Sequence, residues 1–122
     1  MEFTIKHLRL FSGEEIEIRH TTDGQSVCPV CGYLAKGNPP YRESLQTNSA
    51  EPATEPKGSP SFDICPSCKT QYGEDDFVDS TENLSTKQRW NILRLQWLEC
   101  IGRNPMALER LRQNLGIDPE KM

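Results

Sequence analysis

The sequence has few hydrophobic residues and no long apolar run. Of its 122 residues, 34% are hydrophobic and 7% are aromatic. No segment approaches the roughly 20 consecutive apolar residues that a membrane-spanning helix needs. Burial of apolar surface stabilises a fold by about 25 cal/mol per Å², whereas ordering the chain costs about 1.5 kcal/mol per residue. A core with so few hydrophobic residues offsets little of that cost. We therefore expect one small module outside the membrane that needs an additional stabilising group, such as a bound metal.

We expect no secretory signal, because the start of the chain, from Met1 to His7, contains no apolar run. The sequence has five cysteines, and disulfides persist mainly in oxidising compartments. We therefore expect a cytoplasmic protein whose cysteines remain reduced.

Four of the cysteines form two Cys-x-x-Cys pairs, Cys28 with Cys31 and Cys65 with Cys68. A tight turn presents both sulfurs of a pair on one side, and two such pairs converge on one tetrahedral ion. We predict one structural zinc ion, with iron as the alternative. Such a site is closed and leaves no open position for catalysis, so we expect a protein that is not an enzyme. The two histidines, His7 and His20, are expected at the surface rather than at the metal.

The residue after each pair is expected to reverse the turn. Gly32 follows the first pair and tolerates a positive φ. Lys69 occupies the same place after the second pair, where a positive φ strains the backbone and the ammonium group can offset thiolate charge.

Four segments together resemble the bacterial cysteine-rich CPCC-type zinc-ribbon proteins. These segments are 28–33 (CPVCGY), 38–41 (NPPY), 61–68 (SFDICPSC) and 70–76 (TQYGEDD). The resemblance covers roughly residues 27–77, and it implies a structural zinc on the four cysteines and no enzymatic activity. The sequence departs from that pattern at Lys69, in the long insert between the pairs and in the C-terminal extension. The cysteine pairs are also similar to those of rubredoxin, which would imply an iron electron carrier, although no tryptophan lies near them.

Alternating apolar and polar residues predict a β-hairpin over residues 2–20. Residues 34–60 are rich in proline and polar side chains, so we expect a mobile, solvated loop that buries little. Residues 1–83 are thus predicted to form a β-hairpin and zinc-ribbon module, and residues 84–122 a helical extension packed on it.

The helical extension begins at a predicted capping box of Ser85 and Gln88. An apolar face follows at Trp90, Leu93, Trp97 and Ile101, and Cys100 beside it is expected to be buried. Ile92 and Leu95 lie on the opposite side. A second helix is predicted from the Asn104 cap and Pro105 to Gly116, with a stripe of Leu108, Leu111 and Leu115.

The charges are distributed unevenly around a net charge of −4. Residues 1–83 carry 7 basic and 14 acidic side chains, and residues 84–122 carry 7 basic and 4 acidic ones. Because the cysteine pairs lie in the acidic part, binding to nucleic acid is disfavoured there. If nucleic acid is nevertheless bound, the contacts are expected from five arginines of the basic part: Arg89, Arg94, Arg103, Arg110 and Arg112.

The sequence therefore predicts an α+β fold: a small zinc ribbon with an N-terminal β-hairpin and a C-terminal helical hairpin. The expected function is non-catalytic binding of another protein, for example as an immunity-type or anti-defence inhibitor by analogy with small acidic inhibitors. An exposed acidic stretch would steer a basic partner, and the helix face opposite the tryptophans would anchor it. The predicted contacts are Glu74, Asp75, Asp76, Asp79, Ile92 and Leu95.

Overall fold

The structure is a computed structural model that describes residues 3–10, 13–36, 39–44, 57–78 and 83–118. Its strands are β1 (Phe3–Arg9), β2 (Glu15–Thr21), β3 (Ser26–Val27), β4 (Leu34–Ala35), β5 (Tyr41–Ser44) and β6 (Lys57–Pro60). Its helices are α1 (Thr86–Cys100) and α2 (Pro105–Arg110), and α2 continues into a π-helical segment at Leu111–Leu115. Strands and helices together confirm the predicted α+β class. None of the helices in these residues is long and apolar enough to cross a membrane.

The predicted N-terminal hairpin is confirmed. Strands β1 and β2 pair antiparallel from Phe3 opposite Thr21 to Arg9 opposite Glu15, and the sheet continues in the order β1-β2-β3-β4. Alternation along β2 buries Ile16 and Ile18 in the core and leaves Glu15 and Glu17 exposed. The short β3–β4 hairpin at the far side of this sheet contains the first cysteine pair.

A second sheet pairs β5 with β6, within the region expected to be a solvated loop. Tyr41 on β5 is 5% exposed and belongs to the core. The ring centre of Tyr41 lies 5.9 Å from that of Trp90, edge to face, and 6.5 Å from that of Tyr72. The prediction that residues 34–60 bury little is therefore wrong for this tyrosine, because aromatic partners from two other segments cover it. Residues 45–56 of the predicted loop lie outside the described residues.

Helix α1 begins as its sequence predicts. The Ser85 side chain accepts a hydrogen bond from the Gln88 backbone N–H, and the Gln88 side chain accepts one from the Ser85 N–H. A carboxylate oxygen of Glu14 accepts a further bond of 2.9 Å from the Thr86 N–H. The Glu14 carboxylate thus links the N-terminal hairpin to the start of α1, where the helix dipole favours a negative charge.

The buried face of α1 is centred on Trp90, Arg94, Trp97 and Leu98. Cys100 is exposed, so the prediction that it is buried is wrong. The helix ends at this residue, so no neighbouring turn covers it. The second helix is capped by Asn104, whose side chain accepts from the Met106 N–H, and it ends at Gly116 with a φ of 65°, as predicted.

Candidate metal centre

The two cysteine pairs fold into turns with the same hydrogen-bond pattern. In the first turn, the Cys28 N–H donates to Tyr33 O and the Gly32 N–H donates to Cys28 O, both at 2.9 Å. In the second turn, the Cys65 N–H donates to Thr70 O and the Lys69 N–H donates to Cys65 O, also at 2.9 Å. Both turns therefore present their two sulfurs in the same way, as the Cys-x-x-Cys spacing predicts.

The four sulfur atoms of these turns lie within 4.8 Å of one another and form a possible metal-binding site. Cys28 Sγ is 3.8 Å from Cys68 Sγ, and Cys31 Sγ is 3.6 Å from Cys65 Sγ. A tetrahedral ion bonded to sulfur at about 2.3 Å requires edges of about 3.8 Å. The donor set and these distances fit one tetrahedral thiophilic ion such as zinc or iron.

The residues that close the two turns differ in their surroundings. Gly32 has a φ of 82° and Lys69 a φ of 63°, so lysine adopts the conformation that glycine favours. A side chain at Gly32 would lie 3.4 Å from Arg110 O and 3.5 Å from Asn114 Cβ. These are ordinary contact distances at a buried position, whereas Lys69 is exposed. A long side chain therefore has open space at the second turn.

Every backbone carbonyl from Pro29 to Gly32 accepts a hydrogen bond from a side chain of the C-terminal helices. Arg94 donates from Nη2 to Pro29 O at 2.6 Å and from Nε to Val30 O at 2.7 Å. Arg110 Nε donates to Cys31 O at 3.1 Å, and Asn114 Nδ2 donates to Gly32 O at 2.7 Å. The helical extension is therefore attached directly to the first turn of the candidate metal site.

Arg110 also reaches the second turn. Its Nη2 donates to Ser67 Oγ at 2.7 Å, and its guanidinium lies 5.3 Å from the ring centre of Trp97. One side chain thus contacts both cysteine turns and the buried face of α1. The sequence pattern did not single out this role for Arg94 and Arg110, although Arg94 falls on the same helix face as Trp90 and Trp97.

The charges around the sulfurs favour an anionic centre. Within the described part of the chain, neither Arg94 nor Arg110 forms an ion pair with a carboxylate. Burial lowers the pKa of Arg94, while the charges of Cys28, Cys31 and Cys68 oppose that shift. Four thiolates around a divalent ion would carry two net negative charges, and Arg94 and Arg110 both bond to residues of the turns that hold these cysteines.

The thiols themselves are strongly coupled. Burial and the neighbouring thiols raise the pKa of Cys28. Hydrogen bonds from Cys28 and Cys31 lower the pKa of Cys65 and bring that of Cys68 to about 7. Thr70 Oγ1 lies 3.3 Å from Cys68 Sγ, within reach to donate to a thiolate. The thiolate is the form of these side chains that binds a metal.

Asp76 is not part of an exposed acidic stretch, contrary to the sequence-based prediction. It is 1% exposed. Its Oδ2 accepts from Tyr41 Oη and from Trp90 Nε1, both at 2.7 Å, and its Oδ1 accepts from the Gly73 N–H at 2.6 Å. Asp76 therefore joins β5, the segment after the second turn and helix α1, and it is not available to steer a partner.

The other predicted partner contacts have mixed surroundings. Glu74 and Asp75 are exposed, as expected. Ile92 and Leu95 are half-buried, so the stripe expected to be open is partly covered. Asp79 lies outside the described residues. Three large apolar side chains on either side of the second cysteine turn in the sequence are exposed: Phe62, Ile64 and Phe77, at 52%, 58% and 65%.

Comparison of the chain with protein-family models, with curated proteins and with solved structures gave no match. The resemblance to the CPCC-type zinc-ribbon proteins therefore stays a prediction.

Proposed function

We propose that this chain is a small non-catalytic protein that holds one structural zinc ion on Cys28, Cys31, Cys65 and Cys68 and acts by binding another protein. The convergence of four sulfurs within 4.8 Å is the observation that carries this proposal. Four thiolates fill a tetrahedral shell, which is typical of structural rather than catalytic zinc. A lean core explains why such an ion is needed.

Two observations favour zinc over iron. Zinc does not change its oxidation state, so four thiolates around it carry two negative charges, which would match the two guanidinium groups of Arg94 and Arg110. A four-thiolate iron centre carries only one negative charge when the iron is oxidised. Three of the four cysteines are buried, and the helical extension covers the first turn. A rubredoxin-like electron carrier would need its metal close enough to the surface for electron exchange. The burial of the cysteines therefore disfavours that function, and iron remains the alternative metal.

Protein binding is favoured over nucleic-acid binding by the positions of the arginines. Arg94 is buried and Arg110 is half-buried, and both donate to carbonyls of the first cysteine turn. Of the five arginines that a nucleic acid would need, these two are therefore committed to the fold. The acidic balance of residues 1–83 and the exposed apolar side chains suit a protein partner. An inhibitor of the immunity type is one form of this function.

Metal analysis of protein produced with zinc and iron both supplied tests the metal half of the proposal. We expect one zinc per chain and a colourless protein. Visible absorption with a reversible one-electron couple would replace this proposal with an electron carrier. Chelation followed by circular dichroism tests whether the ion is structural, and an unchanged spectrum after complete metal removal would exclude that role.

A further inference from the structure

A cleft beside the second cysteine turn has two exposed aromatic walls. We call it the Phe62–Phe77 cleft, and it is lined by Leu10, Tyr41, Phe62, Glu74, Asp76 and Phe77 among others. Its volume is about 560 Å³, within the range of about 300–1,000 Å³ that is typical of binding sites. Phe62 and Phe77 are 52% and 65% exposed, so their rings face the solvent instead of the core.

The backbone of Phe62 is strained in this position. Phe62 has a φ of 62°, a conformation that is unusual for a bulky residue. Hydrogen bonds on both sides maintain it: Gln71 Nε2 donates to Phe62 O at 3.1 Å, and the Tyr72 N–H donates to Asp63 O at 3.1 Å. A strained backbone persists only where surrounding contacts maintain it, and such residues are common at binding sites.

Gly73 allows the Phe62 ring to approach the backbone. A side chain at Gly73 would place Cβ 2.7 Å from Phe62 Cε1 and 2.7 Å from Pro60 Cβ. Gly73 also has a φ of 91°. Any other residue there would push the ring out of the cleft wall.

Among the described residues that line the cleft, the charged ones are acidic. They are Glu74, which is exposed, and Asp76, which is buried at the base. No lysine or arginine is among the lining residues of the described chain, and Asp76 accepts hydrogen bonds only from Tyr41, Trp90 and Gly73. Because both oxygens of Asp76 are engaged in these bonds, the cation-attracting groups are the exposed carboxylate of Glu74, which acts by charge, and the two aromatic rings, which act by their quadrupole.

We propose that the Phe62–Phe77 cleft binds a basic segment of a partner protein, in which an arginine or lysine side chain enters between the two rings and an apolar neighbour covers them. This assignment rests on the proposed protein-binding function and names its surface and the chemistry of its partner. The cleft lies next to the second cysteine turn, where Ile64 pairs with Gln71 on either side of the turn. Metal binding therefore holds both segments that carry the cleft walls.

Selection of a random peptide library displayed on phage against the full-length zinc-loaded protein tests this assignment. We expect enriched peptides with arginine or lysine next to an apolar residue. Affinities of synthetic versions are then measured by fluorescence anisotropy. Zinc content and circular dichroism of the same preparations report the metal half of the proposed function separately.

The variants separate cleft binding from other modes. Phe62→Asn removes one wall and suits the positive φ, since asparagine tolerates it. We expect Phe62→Asn and Phe77→Ala each to weaken binding by about tenfold or more. Glu74→Gln should weaken binding by about threefold and reduce its dependence on salt. The matched controls are Met106→Ala and Glu99→Gln, both at exposed positions on the helices, and they should bind as the unchanged protein does.

Three outcomes would overturn the cleft assignment: no enriched peptide, enriched peptides without a cationic residue, or equal affinities for the cleft variants and their controls. In the last case the protein-binding function would stand while the cleft assignment fails. Binding of a DNA or RNA duplex at physiological salt, together with no enriched peptide, would place the function in a different class and overturn both.

Discussion

The Nε atom of Arg94 donates a hydrogen bond of 2.7 Å to the carbonyl oxygen of Val30, inside the turn that carries Cys28 and Cys31. The same guanidinium reaches Pro29 O at 2.6 Å, so one buried side chain satisfies two successive carbonyls. Buried carbonyls require such partners. Helix α1 thus contributes directly to the shape of the candidate metal site.

We predict that Arg94→Met destabilises the zinc-loaded protein by about 2–4 kcal/mol, because two buried carbonyls lose their donors and the thiolate cluster loses a counter-charge. Urea denaturation at a fixed zinc concentration measures the change, since free metal shifts the unfolding midpoint. Zinc affinity, measured by competition with a chromophoric chelator, should fall as well. Arg112→Met at an exposed position is the control. Equal stability of the two variants would show that the guanidinium contributes nothing to the fold.

We predict that Cys65→Ser unfolds the protein at temperatures where the unchanged protein is folded, because three thiolates bind zinc much more weakly than four. Structural zinc contributes on the order of 10 kcal/mol to the folding of small domains. Cys100→Ser is the matched control, since Cys100 is exposed and lies outside the cysteine cluster. Tryptophan fluorescence reports the result, because Trp90 and Trp97 are 5% and 9% exposed in the fold. A cooperative transition in Cys65→Ser at the unchanged midpoint would contradict a structural role for the metal.

The parts of the fold that the sequence predicted well depend on local patterns. Cys-x-x-Cys spacing brought four sulfurs together, the Ser85 and Gln88 pair began α1, and Gly116 ended the second helix. Each cysteine turn and each helix end is decided within a few residues of the chain, whereas the two turns converge from positions 34 to 40 residues apart because four thiolates suit one ion. The residues at the metal site and the start of the helix could therefore be placed before any contact was known.

The features that the sequence did not predict depend on distant partners. Asp76 belongs to an acidic run, and its burial is favourable because Tyr41 and Trp90, separated from it by 35 and 14 positions, donate hydrogen bonds to it. Arg94 is charged, yet it is buried because unsatisfied carbonyls lie 64 and 65 positions away. Burial of a polar side chain is decided by whether donors or acceptors meet it in the folded chain, and a single sequence does not reveal that.

We predict that Asp76→Asn costs about 2–4 kcal/mol of stability, because Oδ2 accepts from two donors and Oδ1 from a third. An asparagine keeps one acceptor oxygen and turns an amide donor toward at least one of these donors. Urea denaturation measures the loss, and Glu74→Gln at the neighbouring exposed carboxylate is the control. Asp76 would be a surface acid after all if both substitutions had the same small effect.

We predict opposite changes in stability for substitutions at the equivalent positions of the two cysteine turns, Lys69 and Gly32. Lys69 adopts a φ of 63° with its side chain exposed, and Gly32 adopts a φ of 82° against Arg110 and Asn114. A side chain in the left-handed region costs about 1 kcal/mol relative to glycine. Lys69→Gly should therefore stabilise the protein by about 0.5–1 kcal/mol, because the relief of strain exceeds the entropy that glycine adds to the unfolded chain.

Gly32→Ala should destabilise the protein by about 1–2 kcal/mol, because alanine is strained at this positive φ. The added Cβ would itself lie in ordinary contact with Arg110 O, at 3.4 Å. Both variants are compared with the unchanged protein by urea denaturation with zinc in excess. Lys69→Asn provides a graded control, because asparagine tolerates positive φ better than lysine and should give a smaller gain than glycine. A loss of stability in Lys69→Gly would contradict this prediction. It would mean that the Lys69 ammonium group stabilises the thiolates by more than the backbone strain destabilises the fold. Zinc affinity would then fall in Lys69→Asn as well, because asparagine also lacks the charge.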